Sequence, residues 1–181
     1  MNNSAKIIGI VVALPEERVA LVKVLHKPKR RLVEGIPFYG GTLQGRPVCV
    51  VEGGMGTAAA SRATRALITE TAPSLVISAG FCGALRPEQK VADLVVSRQL
   101  CAADEQGLHQ IPLAGGELSA ARLSAELQSK GLRTWQGTFV TTSRIVTKAA
   151  MAAELPEQLP VPVLEMSPDA LCFDYAQDTF S

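Results

Sequence analysis

The chain has 181 residues, a net charge of +1, 47% apolar residues and 4% aromatic ones. That length suits a single domain with a sizeable core and is too short for two comfortable ones. The near-neutral balance leaves no basic footprint for nucleic acid, and the scarcity of rings offers no stacking platform for single-stranded bases.

In chain order the sequence alternates strand and helix. Residues 6–14 (KIIGIVVAL) are rich in β-branched side chains and predict a first central strand. Pro15 stands where a first helical turn tolerates it, Glu16 and Glu17 lie near the positive end of the dipole, and the helix is expected to run to about Leu25. The apolar stretch after Lys6 is cut short by Pro15-Glu16-Glu17-Arg18, so it suits neither a signal peptide nor a membrane span. The basic cluster Lys27-Pro28-Lys29-Arg30-Arg31 reads as a solvated loop, with a phosphate-binding edge as the sharper alternative. Residues 35–45 carry hairpin signals, with Phe38-Tyr39 in a strand and Gln44-Gly45 at a turn. Residues 48–51 form a strand that runs into Glu52-Gly53-Gly54-Met55-Gly56 and then into a helix over 57–71. Ala58, Ala59, Ala60, Ala63 and Ala66 let that helix approach a sheet closely, while Arg62 and Arg65 are expected to face solvent.

Residues 73–85 (PSLVISAGFCGAL) combine an uninterrupted apolar run with a glycine-rich end, the pattern of a strand buried on both faces. An open α/β sheet holds its ligand at that end of its strands. Together with the glycines after residue 52, it makes a floor on which a small polar ligand meets backbone N–H groups without Cβ clashes; tight turns alone are the plainer alternative. Further on, residues 91–97 predict a strand, 104–116 a polar loop, and 117–130 a helix with apolar positions at Leu118, Ala121, Leu123 and Leu127 and a stop at Gly131. Residues 138–143 predict a strand, 148–155 a short helix and 161–165 the last strand. No repeat, linker or low-complexity tract interrupts residues 1–181, so one domain is expected. Cys49, Cys82, Cys101 and Cys172 are dispersed and the chain has two histidines, which excludes the common zinc spacings. The cysteines read as buried free thiols of a reducing compartment, hence a soluble cytoplasmic protein with no metal, no cofactor, no nucleic acid and no membrane partner.

Five segments, IGIVVALPEE, EGGMGTAAA, VISAGFCGAL, DLVVS and VLEM, follow one another in an order and spacing that resembles the purine nucleoside phosphorylase and nucleosidase superfamily. The likeness is strongest to the methylthioadenosine/S-adenosylhomocysteine nucleosidases and covers residues 7–166. It implies an α/β fold, a three-layer α/β/α arrangement around a mixed, partly barrel-like central sheet, and cleavage of the N-glycosidic bond of an adenosine-type or other 5′-modified purine nucleoside. It also implies a homo-oligomer, by preference a dimer, with sites at subunit interfaces. Glu17 falls where the nucleosidases carry the carboxylate that orients the attacking water; its plainer alternative is an exposed first-turn glutamate that favours the dipole. Gly54, Met55 and Gly56 match the element beside the sugar, and Ala79, Gly80 and Phe81 the loop beneath the base. The segment from Val140 to Ile145 matches one that lines the purine pocket. Glu165 and Met166 begin the family's E-M-E signature, in which Met packs on the ribose and a Glu accepts hydrogen bonds from its hydroxyls.

Departures from the pattern narrow the chemistry. The arginine that family phosphorylases carry on the central strand is Ser78, and their glycine-rich phosphate loop is replaced by Leu14-Pro15-Glu16-Glu17, which favours water over phosphate as nucleophile. Phe81 stands where relatives often have a small or hydroxyl residue, and it either narrows the pocket or stacks on the ligand. Ser167 replaces the second glutamate of the signature, Pro168 follows, and residues 167–181 form a divergent tail. The family's C-terminal elements, with the aspartate that protonates the base, are expected to be missing; Asp169, Asp174 and Asp178 are candidates in name only. Three readings stay open: a nucleoside hydrolase, a non-catalytic or weakly active member that binds a nucleoside or base, and a nucleoside phosphorylase. Rossmann-type binding is weaker still, because Gly80-Phe81-Cys82-Gly83 lacks the G-x-G-x-x-G spacing.

Overall fold

The computed structural model describes residues 6–112, 116–142, 155 and 159–165. Ile145, Met166, Ser167, Cys172, the three tail aspartates and most of the helix expected over 148–155 lie outside the described residues. The described chain falls into two compact units, one ending at Gly80 and the next beginning at Phe81.

The first unit contains β1 (Ile8–Val12), α1 (Pro15–Val24), β2 (His26–Val33), β3 (Ile36–Leu43), β4 (Arg46–Glu52), α2 (Thr57–Thr71) and β5 (Leu75–Ser78). Its five-stranded sheet has the order β2-β3-β4-β1-β5. β4, β1 and β5 run parallel, and β2, β3 and β4 form an antiparallel meander. Val11, Cys49, Val51 and Phe38 pack with Ala63, Ala66 and Leu67 of α2. Val12, Val48 and Val50 point the other way and pack with Leu21 and Val22 of α1. This alternation puts one helix on each face of the sheet, which makes the unit a three-layer α/β/α structure. Phe38, Leu67, Val12, Val50 and Val51 are fully buried, each contributing about 1.5–3 kcal/mol of apolar transfer.

Two features of this sheet differ from the expectation. Residues 27–31 are not a loop: they belong to β2, the edge strand, whose residues are exposed on both sides up to Leu32. A sheet register shift between His26 and Lys29 takes in Pro28, which has no N–H to give to a ladder, and lysine and proline are the residues that keep an edge from pairing with another chain. Arg31 ties the edge down, donating to Glu70 Oε2 at 2.8 Å with its guanidinium 5.1 Å from the Phe38 ring centroid. Two-residue turns at Glu34-Gly35 and Gln44-Gly45, positive in φ at both positions, close the meander. β5, expected to be central and buried on both faces, ends the sheet order beside β1, and Val76 alone of its four residues is fully buried.

The second unit contains β6 (Gly83–Ala84), β7 (Leu94–Asp104), β8 (Gly107–Ile111), α3 (Gly116–Ser129), β9 (Thr134–Thr142) and β10 (Pro162–Glu165). Its five-stranded sheet has the order β6-β10-β9-β7-β8, with the three middle strands parallel and the two outer ones antiparallel. The polar loop expected over 104–116 is instead a hairpin: β7 continues to Asp104, whose carboxylate accepts the Gln106 N–H at 2.8 Å, and β8 returns alongside it. Leu85, Val140 and Leu155 form the core of this unit with Ala103, Leu108 and Leu159. Cys49 and Cys101 are buried as expected, whereas Cys82, in the segment between β5 and β6, is exposed. Both helices and sheets are thus as an α/β fold requires. Among the described residues no helix is long and apolar enough to cross a membrane.

A compact ion network ties the entrances of β7 and β9 together. Asp93 Oδ2 accepts the Lys90 N–H at 2.9 Å and the Trp135 indole N–H at 2.7 Å, while Arg133 Nε lies 3.3 Å from Oδ1. The Lys90 N–H is the chief cause that holds the Asp93 carboxyl below its ordinary range; burial opposes it, and Trp135, Arg133 and the Lys90 charge add to it. A carboxyl depressed by folding contributes stability that is present above its unfolded value and lost as pH falls through its folded one. We expect the emission of Trp135, the only tryptophan in the chain, to change as pH drops below about 4 in the native protein and to lose that pH dependence in Asp93→Asn. A fluorescence titration of both proteins checks this; identical curves would show that the network does not sense pH.

Candidate active site

The candidate site grows from the carboxyl ends of three parallel strands. β4, β1 and β5 lie side by side, and their pairing continues one step past the strands: Gly53 N–H donates to Val12 O at 2.8 Å, and Ala79 N–H to Val11 O at 3.0 Å. Parallel strands end at one edge, so the turn after β1, the glycine loop after β4 and the Ala79-Gly80 end of β5 are brought to the same rim.

The turn after β1 carries Glu17. Pro15 opens α1, and the side chain of the N-cap residue, Leu14, has no oxygen with which to cap the helix. Glu17, the third residue of the helix, makes the reciprocal half of a capping box from inside the first turn: its Oε2 accepts the N–H groups of both Ala13 and Leu14 at 2.9 Å. Glu17 is 7% exposed, which overturns the reading of an exposed dipole-favouring glutamate. The other oxygen, Oε1, faces Gly80 so closely that a Cβ built there would lie 2.7 Å from it. Any side chain at position 80 displaces the carboxylate.

Arg18, the next residue, reaches the opposite flank of β1. Its Nε is 2.5 Å from Glu52 Oε2 at the end of β4, and its guanidinium lies 5.0 Å from the Tyr39 ring centroid. Neither Arg18 nor Glu52 stood out in the sequence, because they are paired by the Val12–Glu52 register and not by any local spacing. Beyond Glu52, Gly54 and Gly56 have φ of +89° and +91°, a conformation that L side chains rarely adopt, and Gly56 opens α2. Met55 between them is 63% exposed.

The remaining candidates belong to the second unit. Phe81, its first residue, is 70% exposed. Val140 is fully buried in the core with Leu85 and Leu155, so its side chain is a packing element. Glu165 ends β10 in register with Thr141 of the parallel strand β9, which places it at the carboxyl-end edge of that sheet. Ile145 and Met166 lie outside the described residues. The Asp93 network stands at the opposite, amino-end edge of β7 and β9.

Comparison with known proteins is consistent with this geometry. A family model described as "Phosphorylase superfamily" matches residues 7–172. A 5′-methylthioadenosine/S-adenosylhomocysteine nucleosidase of Shewanella pealeana is 36% identical over 93 residues, 51% of this chain and 40% of that relative. The chain thus matches less than half the length of the curated relative. Among solved structures, the nucleosidase of the same description from Neisseria meningitidis, in complex with methylthio-immucillin-A, superimposes with a TM-score of 0.77 at 24% identity, covering 92% of this chain and 78% of that one. The Colwellia psychrerythraea nucleosidase, in complex with adenine, gives a TM-score of 0.73 at 26% identity, covering 92% and 75%. With a match that takes in nearly all of the sequence and a fold shared at these scores, the chain belongs to the phosphorylase superfamily.

Proposed function

We propose that this chain carries the catalytic carboxylate of a nucleosidase that hydrolyses the N-glycosidic bond of an adenosine-type purine nucleoside, with or without a 5′ modification. The observation that carries the proposal is the placement of Glu17, a buried carboxylate with one oxygen fixed by two backbone N–H groups and the other facing Gly80. Glycosidic cleavage passes through a cation-like sugar, and a fixed carboxylate both orients a water toward the anomeric carbon and stabilises the positive charge that develops there. Adenine and an immucillin bound to the two solved relatives support an adenosine-type ligand. The proposal assigns sugar contacts to Gly54, Met55 and Gly56, base contacts to Ala79 and Gly80, and keeps for Phe81, Ile145, Glu165 and Met166 the substrate contacts that the family resemblance implies; for Val140, whose side chain is in the core, it keeps a contact through the backbone alone. A cytoplasmic homo-oligomer, by preference a dimer, completes it.

The two hydrogen bonds to Oε2 are also what a purely structural cap makes, and that favours a second reading, a member that binds the nucleoside without turnover. One experiment separates the readings. The protein is incubated with methylthioadenosine or adenosine, with and without inorganic phosphate, and the products are resolved by chromatography. Free base with free sugar in both arms is the expected result. Base with sugar 1-phosphate in the phosphate arm alone would mean phosphorolysis, and calorimetric binding without base release would mean the second reading.

A further inference from the structure

We infer that the Arg18–Glu52 ion pair positions the carboxylate of Glu17, which makes Arg18 and Glu52 positioning residues for the reaction proposed above, on which this inference rests. Among the described residues, the apolar contacts of helix α1 fall beyond its first turn. Its N-cap side chain has no acceptor, and Val19 and Val24 are 52% and 58% exposed, so the apolar grip comes from Leu21, Val22 and Leu25 further along. The first turn is instead held at two polar points on opposite flanks of β1. Glu17 meets β5 through Gly80, and Arg18 meets β4 through Glu52, the register partner of Val12. Ala13 and Leu14, the two donors to Glu17 Oε2, lie between those points. Rotating or lifting the turn would therefore break the Arg18 contact and move the Glu17 carboxylate together.

The pair is built more firmly than a surface ion pair. The two side chains are 22% and 20% exposed, and the guanidinium is backed by the Tyr39 ring, so three elements, α1, β4 and β3, meet at one cation. Lysine at position 18 keeps the charge and the reach to Glu52 and gives up only the planar guanidinium over Tyr39, whereas glutamine keeps the reach and loses both the charge and the stacked group.

The test uses the full chain in five forms: native, Arg18→Gln, Arg18→Lys, Glu52→Gln and the double variant Arg18→Gln/Glu52→Gln. Two quantities are read, amide hydrogen exchange at Ala13 and Leu14 against Val11 and Val50 as internal references, and kcat and KM for base release. We expect exchange at Ala13 and Leu14 to quicken about fivefold or more in both glutamine variants, with the references unmoved. The double variant should be no worse than the worse single one, because the two residues act as one unit. Lysine should restore exchange to within about twofold, and kcat should fall about tenfold or more in the glutamine variants with KM held within about twofold. Unchanged exchange, independent effects that multiply in the double variant, or a loss confined to KM would each overturn the inference. If the native protein releases no base, the proposed reaction falls while the exchange measurement still decides the positioning role. If base release is robust and depends on Glu17 but neither readout moves in the pair variants, the inference falls and the reaction stands.

Discussion

Replacing Gly137 with alanine should destabilise the second unit by about 3 kcal/mol or more, the upper range for forcing an atom into a packed interior. Gly137 lies within β9, in register with Ser97 of β7. A Cβ there would run into the Val161 carbonyl oxygen and come within 3.0 Å of Val95 Cγ1. The carbonyl is backbone and cannot swing aside. Its segment is held by the next residue of β9, since Thr138 N–H donates to Pro160 O at 3.0 Å and to Val161 O at 3.3 Å just before β10 begins. Val161 itself has a φ of +36°, so its backbone is already confined to an uncommon conformation. Urea unfolding followed through Trp135, two residues away in the same strand, measures the effect. Gly40→Ala in β3 is the control: its Cβ would meet nothing within 4 Å, and stability should stay within about 0.5 kcal/mol of native. A Gly137→Ala protein as stable as the control would show that the 160–161 segment can retreat.

Much of the fold was legible because the strongest signals and the structural requirements coincide. The helix over 57–71 is legible with its bounds because its run of alanines follows directly on the glycine loop that ends a strand. The parallel strands β1 and β4 are near-continuous apolar runs, as strands with a helix on either face must be. What failed was the outer structure. β2 has solvent on both faces, so no apolar alternation marks it, and its pairing rests on backbone hydrogen bonds that the sequence does not display. β8 is hidden the same way, because its order comes from the hairpin with β7. In the site, the family pattern pointed to Glu17, but Glu16, Glu17 and Arg18 look alike in a first turn. The one that is buried, Glu17, lies against Gly80, a contact between residues far apart in sequence. The Arg18–Glu52 pair, 34 residues apart, was invisible for the same reason.

The decisive variant for the chemistry is Glu17→Gln, expected to lower base release by about 10²–10⁴-fold with the fold retained, the loss typical of removing a positioned acid–base group. Glutamine keeps an oxygen that can accept the Ala13 and Leu14 N–H groups, so the turn after β1 should survive and the melting temperature should stay close to native. Glu17→Ala removes the cap as well as the charge, and should cost about 1 kcal/mol of stability in addition to activity. Comparing the two therefore separates the cap from the catalyst. Gly80→Ala approaches the same carboxylate from the other side. Its Cβ would lie 2.7 Å from Oε1 and 3.1 Å from Cδ of Glu17, and a carboxylate pinned by two backbone donors can yield only by giving up those bonds. Gly80→Ala should accordingly lose activity while Glu17 is still present and charged, with kcat falling more than KM changes. Steady-state kinetics with chromatographic detection of the base, alongside thermal melts of all four proteins, reads every part of this. Base release that persists undiminished in Glu17→Gln would remove Glu17 from the reaction and leave it as the cap of α1 alone.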